Sequence, residues 1–382
     1  MPHVVHVSFF NDPAQRLPDQ LLQAWPTLVD VAEAVSQSGV RVSVVQASAH
    51  TDHFERNRVR YFFLPAGPPG TPSAGFAELI RRLAADAYHV HGLDFSRQVL
   101  SLAALAPGVP IVLQDHASRP PRLWRRALWR RGMKTAAGIS FCALAQAKPF
   151  LNAGLLDPST RLYEIPEASS RFTPGDREQA RRATGAAGEP LVLWVGHLNE
   201  NKDPLTALRG ISEAARALPN LQLSCCFGTA PLLPEVQKRI AKDQFLRGRV
   251  RLLGPVPHPR IEQLMRAADI FVLASHREST GFALIEAIAC GLPPVVTDIP
   301  SFRAITGAGT VGHLWPCGDF RSLSEALRAA AARADTATRG AVRLHFERQL
   351  SFTALGRRLA ALYKDVLERE RAPYPPVEAT RA

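Results

Sequence analysis

Short apolar runs alternate along most of the chain with longer stretches in which apolar residues recur at helical spacing. In the first half, residues 3–10, 40–47, 59–64, 87–91 and 109–113 read as strands, with 164–166 as a short further one. Residues 21–36, 73–85 and 95–106 read as helices between them, and Ser73 suits the N-cap of the second. The second half repeats the pattern. Strands are predicted over 191–195, 221–227, 250–253, 270–274 and 294–297, and helices over 204–218, 234–242 and 259–268. Strands separated by helices imply βαβ units, so the predicted class is α/β with two parallel-sheet domains.

Residues 172–190, FTPGDREQARRATGAAGEP, carry Pro and Gly at both ends and mark the predicted junction. The first domain is expected over 1–172 and the second over 173–348. A terminal helix is expected over 349–370, with 371–382 as a disordered tail. Two such domains facing one another leave a ligand cleft between the carboxyl edges of their sheets.

At 382 residues the chain suits two domains with a core each. No apolar run reaches the ~18 residues that cross a bilayer, and MPHVVHVSFFND lacks the basic flank and cleavage site of a signal peptide. Five cysteines with no Cys-x-x-Cys pair argue for a reducing compartment, the cytoplasm, over a disulfide framework. The net charge of +12 favours acidic partners, but only six of the basic residues are lysine. Arginine usage that heavy is also what genome composition alone produces, so nucleic acid is not inferred.

The most informative stretch is DIFVLASHRESTGFALIEAIAC, residues 269–290. A buried strand leads into a polar turn holding Glu278, and Gly281 opens a helix carrying Glu286. Read this way, the N–H groups of Gly281, Phe282 and Ala283 face the sheet edge and attract phosphate. Glu286 lies in an otherwise small and apolar segment, where a carboxylate is costly without a partner. It is placed to take hydroxyl hydrogen bonds, as an acid does for ribose in dinucleotide folds.

SHRESTGFALIEAIACGLPPVV resembles the Glu-x7-Glu signature of retaining nucleotide-sugar glycosyltransferases with the two-domain GT-B architecture, the group 1 family. The resemblance is strong over about 191–314 and only architectural before that. It implies two Rossmann-like domains facing a central cleft, acceptor side first and nucleotide-sugar side second, with the terminal helix returning to the first. It also implies that Glu278 faces the donor sugar or phosphate and does not act as a base.

Other residues fall into the same frame. GHLNENKDP resembles the family's Gly-Arg-Leu-x-x-x-Lys diphosphate loop, with Gly196 and Lys202 in register and His197 in place of arginine. Arginine is always charged and bidentate; histidine is neither. His116, in QDHAS after a predicted strand, matches the family histidine at the donor sugar's reactive carbon, acting through a backbone or ring contact; a satisfied structural histidine is the alternative. Asp115 is a weaker candidate for orienting the acceptor. By resemblance the nucleotide base sits against Gly254-Pro255-Val256, with Phe227-Gly228-Thr229 nearby. Asn11-Asp12-Pro13 stands where the family often has a glycine pair, so the first domain is expected to meet its substrates differently.

No paired-aspartate motif and no His/Cys cluster is visible in the sequence, so neither metal nor other cofactor is expected. The donor is a co-substrate. The segment RPPRLWRRALWRRGMK, residues 119–134, holds seven basic residues and no acid. At 100° per residue Leu123, Trp124, Ala127 and Leu128 share one arc, and Arg122, Arg125, Arg126 and Arg130 another, with Trp129 among them. Such a face suits a lipid-linked or anionic acceptor, or peripheral contact with the inner face of the membrane. A basic surface helix packed on the sheet is the plain alternative.

The function expected is transfer of a sugar from a nucleoside-diphosphate sugar to an acceptor hydroxyl with retention. The alternatives are a GT-B epimerase or phosphorylase, or a non-catalytic binder of nucleotide sugar or anionic membrane. Base, sugar, acceptor and oligomeric state are not written in these motifs.

Overall fold

The structure, a computed structural model, describes residues 1–371. The predicted disordered tail, 371–382, lies outside them except for its first residue, which ends a helix. The chain divides into two compact α/β units, one of Met1–Glu167 with the chain from Leu355, the other Ala168–Ala354.

In the first unit, β1 (His3–Ser8), β2 (Arg41–Ala47), β3 (Asp52–Arg56), β4 (Val59–Leu64), β5 (Ala87–His91), β6 (Ile111–Gln114), β7 (Ala136–Phe141) and β8 (Leu162–Glu164) form one sheet. Its order is β3-β4-β2-β1-β5-β6-β7-β8, and only β3 is antiparallel, against β4. The β3–β4 turn is Asn57-Arg58, both at positive φ, the geometry that matches the twist of a tight hairpin. One sheet face carries Val5, Val7, Tyr88 and Val90 into a large apolar core. The predicted 21–36 helix is two, Pro18–Ala24 and Pro26–Gln37. Pro26 has no N–H to donate and pushes Trp25 out of helical geometry. The helix Phe352–Arg371 carries Tyr363 and Gly356 into this unit; a Cβ on Gly356 would lie 2.3 Å from the Ala34 carbonyl oxygen.

The second unit holds β9 (Leu191–Val195), β10 (Gln222–Cys226), β11 (Val250–Gly254), β12 (Ile270–Leu273), β13 (Pro294–Thr297) and β14 (His313–Trp315). All run parallel in the order β11-β10-β9-β12-β13-β14. The Pro- and Gly-flanked stretch 172–190 lies inside this unit and contains the helix Arg177–Thr184. Arg177 and Arg181 both bond the buried Asp269 at 2.7 Å, which ties that helix to the start of β12.

Candidate functional sites

From β9 the chain winds outward to β10 and β11, then returns to place β12 on the other side of β9. The loops leaving β9 and β12 therefore diverge at a topological switch point, where open α/β sheets bind their ligands. Both loops carry residues the sequence singled out.

After β9, Asp203 caps the helix Pro204–Ala215, accepting from the Thr206 N–H at 3.1 Å, and holds Lys202 at the helix start. The Lys202 ammonium is hydrogen-bonded to Glu278 of the other loop. Three more bonds join the two loops: His276 Nε2 donates to Asp203 at 3.1 Å, Asn201 Nδ2 to the Arg277 carbonyl at 2.9 Å, and the His276 N–H to the Asn201 carbonyl at 2.8 Å. Gly196 lies below, its α-carbon facing Leu273 and Lys202.

Gly281 caps the helix Phe282–Ala289. Its φ is +89°, and a Cβ there would lie 2.6 Å from Phe302, so glycine is required on both counts. Helix geometry leaves the Phe282 and Ala283 N–H groups without intrahelical acceptors, available to an anion. Glu286, one face further on, accepts from His258 Nε2 at 2.7 Å. That bond, with the Glu286 charge, raises the His258 pKa. His258 is the partner that the carboxylate's apolar setting called for. It stands two residues beyond Val256, which is half-buried in the turn after β11.

His197 is exposed, and its Nδ1 accepts from the Thr229 N–H at 3.1 Å. In the neutral ring Nε2 then carries the proton and can donate to a phosphate oxygen. One single N–H replaces the fork an arginine would offer.

The first unit has its own switch point, between β1 and β5. His6 pairs in register with His89, and His91 lies two residues on along the same face. The expectation of no histidine cluster is corrected here: sheet order joins residues far apart in sequence. His116, after β6, is not a lone histidine either. Its Nδ1 lies 2.6 Å from Glu167 and its Nε2 3.1 Å from His91 Nδ1. His91 Nε2 is 3.3 Å from His6 Nδ1, His6 Nε2 3.0 Å from the Tyr363 hydroxyl, and that hydroxyl 2.5 Å from His89 Nδ1. Burial depresses the His6 pKa to about 4 and those of His89 and His91 well below the usual value. Burial also raises Asp115 to about 6, against the Ser118 N–H bond. In the loop after β1, Asp12 takes the Ala14 and Arg16 N–H groups and the Arg16 guanidinium.

The basic segment is corrected in phase. The chain is extended up to Arg122, Leu123–Arg125 is a 3-10 turn, and the α-helix begins only at Arg126. Trp129 therefore packs inward and is 2% exposed, not on the arginine face; Leu123 and Trp124 are 74% and 73% exposed, not on a packed arc. Arg122 stacks its guanidinium 5.3 Å from the Trp124 ring. Arg125 and Arg130 are exposed and Arg126 is half-buried, with Arg130 bonded to the Gly154 carbonyl.

Residues 176–339 match the family model described as Glycosyl transferases group 1, and residues 26–148 that described as Glycosyltransferase Family 4. The second unit therefore carries a glycosyl transferases group 1 domain. It is 32% identical over 196 residues to a D-inositol 3-phosphate glycosyltransferase of Geodermatophilus obscurus, covering 49% of this chain and 44% of that protein. D-inositol 3-phosphate glycosyltransferase 1 of Catenulispora acidiphila is 26% identical over 341 residues, covering 79% and 80%. The match to the first spans less than half of that relative's length. Among solved structures, sucrose-phosphate synthase of Thermosynechococcus elongatus aligns at a TM-score of 0.68 and 18% identity, covering 97% of this chain and 100% of that one. HepE of Anabaena, solved with UDP and glucose, aligns at 0.64 and 16%, covering 95% and 100%. At these identities the likeness is one of fold, and the fold is the GT-B pair of α/β domains. In this family setting, the residues that the sequence missed are Glu167, His6, His89, His91, His258 and His276. Only the His-x-His spacing of His89 and His91 on one strand signalled itself.

Proposed function

We propose that the protein transfers a sugar from a nucleoside-diphosphate sugar to an acceptor hydroxyl with retention at the anomeric carbon. The observation that carries this reading is the Lys202–Glu278 pair at the β9/β12 switch point, beside the open helix start of Phe282 and Ala283. A diphosphate seated there meets one ammonium, two N–H groups and the Nε2–H of His197, which neutralise charge as the leaving group departs. Glu286 takes the ribose hydroxyls, displacing His258, and the turn at Val256 borders the base. Glu278, released from Lys202, turns to the sugar. By resemblance to the family histidine, the role read for His116 is a main-chain one, since both of its ring nitrogens already have partners.

A thermal-shift series with UDP, GDP and ADP tests the reading, since ligand binding raises apparent stability by mass action. One nucleotide raises Tm in the wild type, Glu286→Ala abolishes the shift and Lys202→Ala reduces it. Shifts unchanged in both variants overturn the placement. Product analysis with a labelled donor separates transfer from epimerisation or phosphorolysis.

The acceptor side is read from the basic segment. Leu123 and Trp124 stand out from the surface among Arg119, Arg122 and Arg125, as a peripheral anchor on anionic lipid does. No helix among the described residues is long and apolar enough to cross a membrane. Phosphorylated acceptors, as named for the inositol 3-phosphate relatives, share the same charge complementarity. Sedimentation with phosphatidylglycerol vesicles separates the two: retention in the pellet, lost in Trp124→Ala, supports the lipid, and full recovery in the supernatant removes it.

A further inference from the structure

We propose that Glu167, His91, His6 and Tyr363 are positioning residues that hold His116 as its Nδ1–H tautomer, through one hydrogen-bonded chain reaching from the loop after β8 to the C-terminal helix. With all four rings neutral, the direction of each bond follows from the one before. A carboxylate only accepts, so His116 Nδ1 donates to Glu167. In the proposed tautomer His116 Nε2 keeps its lone pair, and His91 Nδ1, 3.1 Å away, donates to it. His91 Nε2 in turn accepts from His6 Nδ1, and His6 Nε2 accepts the Tyr363 O–H. The phenol oxygen accepts from His89 Nδ1. Burial keeps the three inner rings neutral, one donor and one acceptor each, as the chain requires.

All four histidines therefore carry the proton on Nδ1, the minor tautomer of free neutral histidine. Five bonds link the six residues, and the chain ends at His89, beside the Gln114 side chain. The same three buried rings bring one nitrogen each within 4.8 Å of the others, near the spacing of a metal site. An ion on His6 Nδ1 would move that ring's proton to Nε2, facing Tyr363. The phenol already accepts from His89 and would then hold a buried proton with no acceptor in the chain. The hydrogen-bonded arrangement closes without that cost.

The consequence for catalysis rests on the transferase reading above: with both nitrogens committed, the His116 ring neither takes nor gives a proton, and the residue serves as a fixed platform. The tautomers themselves do not depend on that reading. The full chain labelled with ¹⁵N-histidine and examined by two-bond ¹H–¹⁵N correlation is expected to show His6, His89, His91 and His116 as Nδ1–H. Glu167→Gln, whose amide both donates and accepts, is expected to convert His116 and His91 to mixtures. Tyr363→Phe is expected to move the His6 and His89 signals with the fold kept. An Nε2–H tautomer at His6, His91 or His116 in the wild type overturns the chain, as does uptake of one equivalent of Zn²⁺ lost in His6→Ala. In transfer assays Glu167→Gln is expected to lower kcat on the order of tenfold at unchanged donor KM. Unchanged kcat with the predicted tautomers overturns the positioning role, whereas a wild type that transfers nothing fails the functional reading and leaves the tautomers to be judged on the spectra.

Discussion

The Lys202 ammonium, in the loop after β9, is hydrogen-bonded to the Glu278 carboxylate, in the loop after β12. Both side chains are mostly buried, at 18% and 14% exposure, so each compensates the other's charge. An incoming diphosphate competes with Glu278 for the same ammonium. Glu278→Gln is therefore expected to tighten nucleoside-diphosphate binding several-fold and to lower transfer, whereas Lys202→Ala weakens binding about tenfold, ~1.4 kcal/mol. Calorimetric titration of both variants checks this; equal affinities would contradict it.

Glu286 is held by His258, and the pairing raises the His258 pKa. A raised histidine pKa means that the bond to a charged ring is fully present below the unfolded value of 6.5 and is lost as pH climbs through the folded one. Nucleotide affinity is therefore expected to rise as pH climbs above 6.5 through the raised His258 pKa and Glu286 is freed for the ribose. His258→Gln is expected to flatten that rise in titrations at several pH values.

His197 spends Nδ1 on the Thr229 N–H and keeps one donor. His197→Arg is expected to strengthen diphosphate binding several-fold, because the guanidinium is always charged and bidentate. The same substitution leaves the Thr229 N–H without its acceptor and is expected to cost about 1 kcal/mol of stability, read from denaturant midpoints.

Asp115 titrates near 6 in the fold against 3.8 unfolded, because it is buried. A carboxyl raised in this way binds its proton more tightly when folded, so stability falls as pH rises from about 4 to 6. The loss is about 2 to 3 kcal/mol and persists at pH 7. Asp115→Asn keeps an acceptor for the Ser118 N–H and is expected to raise Tm at pH 7 and flatten its pH dependence.

Much of the second unit was legible because its apolar runs are fully buried parallel strands with strong local punctuation. β9, β12 and β13 appear close to where the pattern predicts them, and Gly281, Lys202 and Glu286 carry local signals. What was not legible depends on pairing. β3 is polar apart from Phe54 and joined by Asn57-Arg58, a turn without the glycine that usually announces a hairpin. Trp129 was placed wrongly because one 3-10 turn rotates the phase of everything after it. His6, Glu167 and Tyr363 reach His116 through sheet order and a helix from the far end of the chain, which no local window contains.

The account stands on where the nucleotide goes. A crystal of the protein soaked with the nucleoside diphosphate that raises its Tm tests this most directly. The account predicts phosphate oxygens within hydrogen-bond distance of Lys202 Nζ and of the Phe282 and Ala283 N–H groups, with Glu286 turned from His258 to the ribose. A nucleotide bound elsewhere, with the Lys202–Glu278 and His258–Glu286 pairs intact, would contradict it.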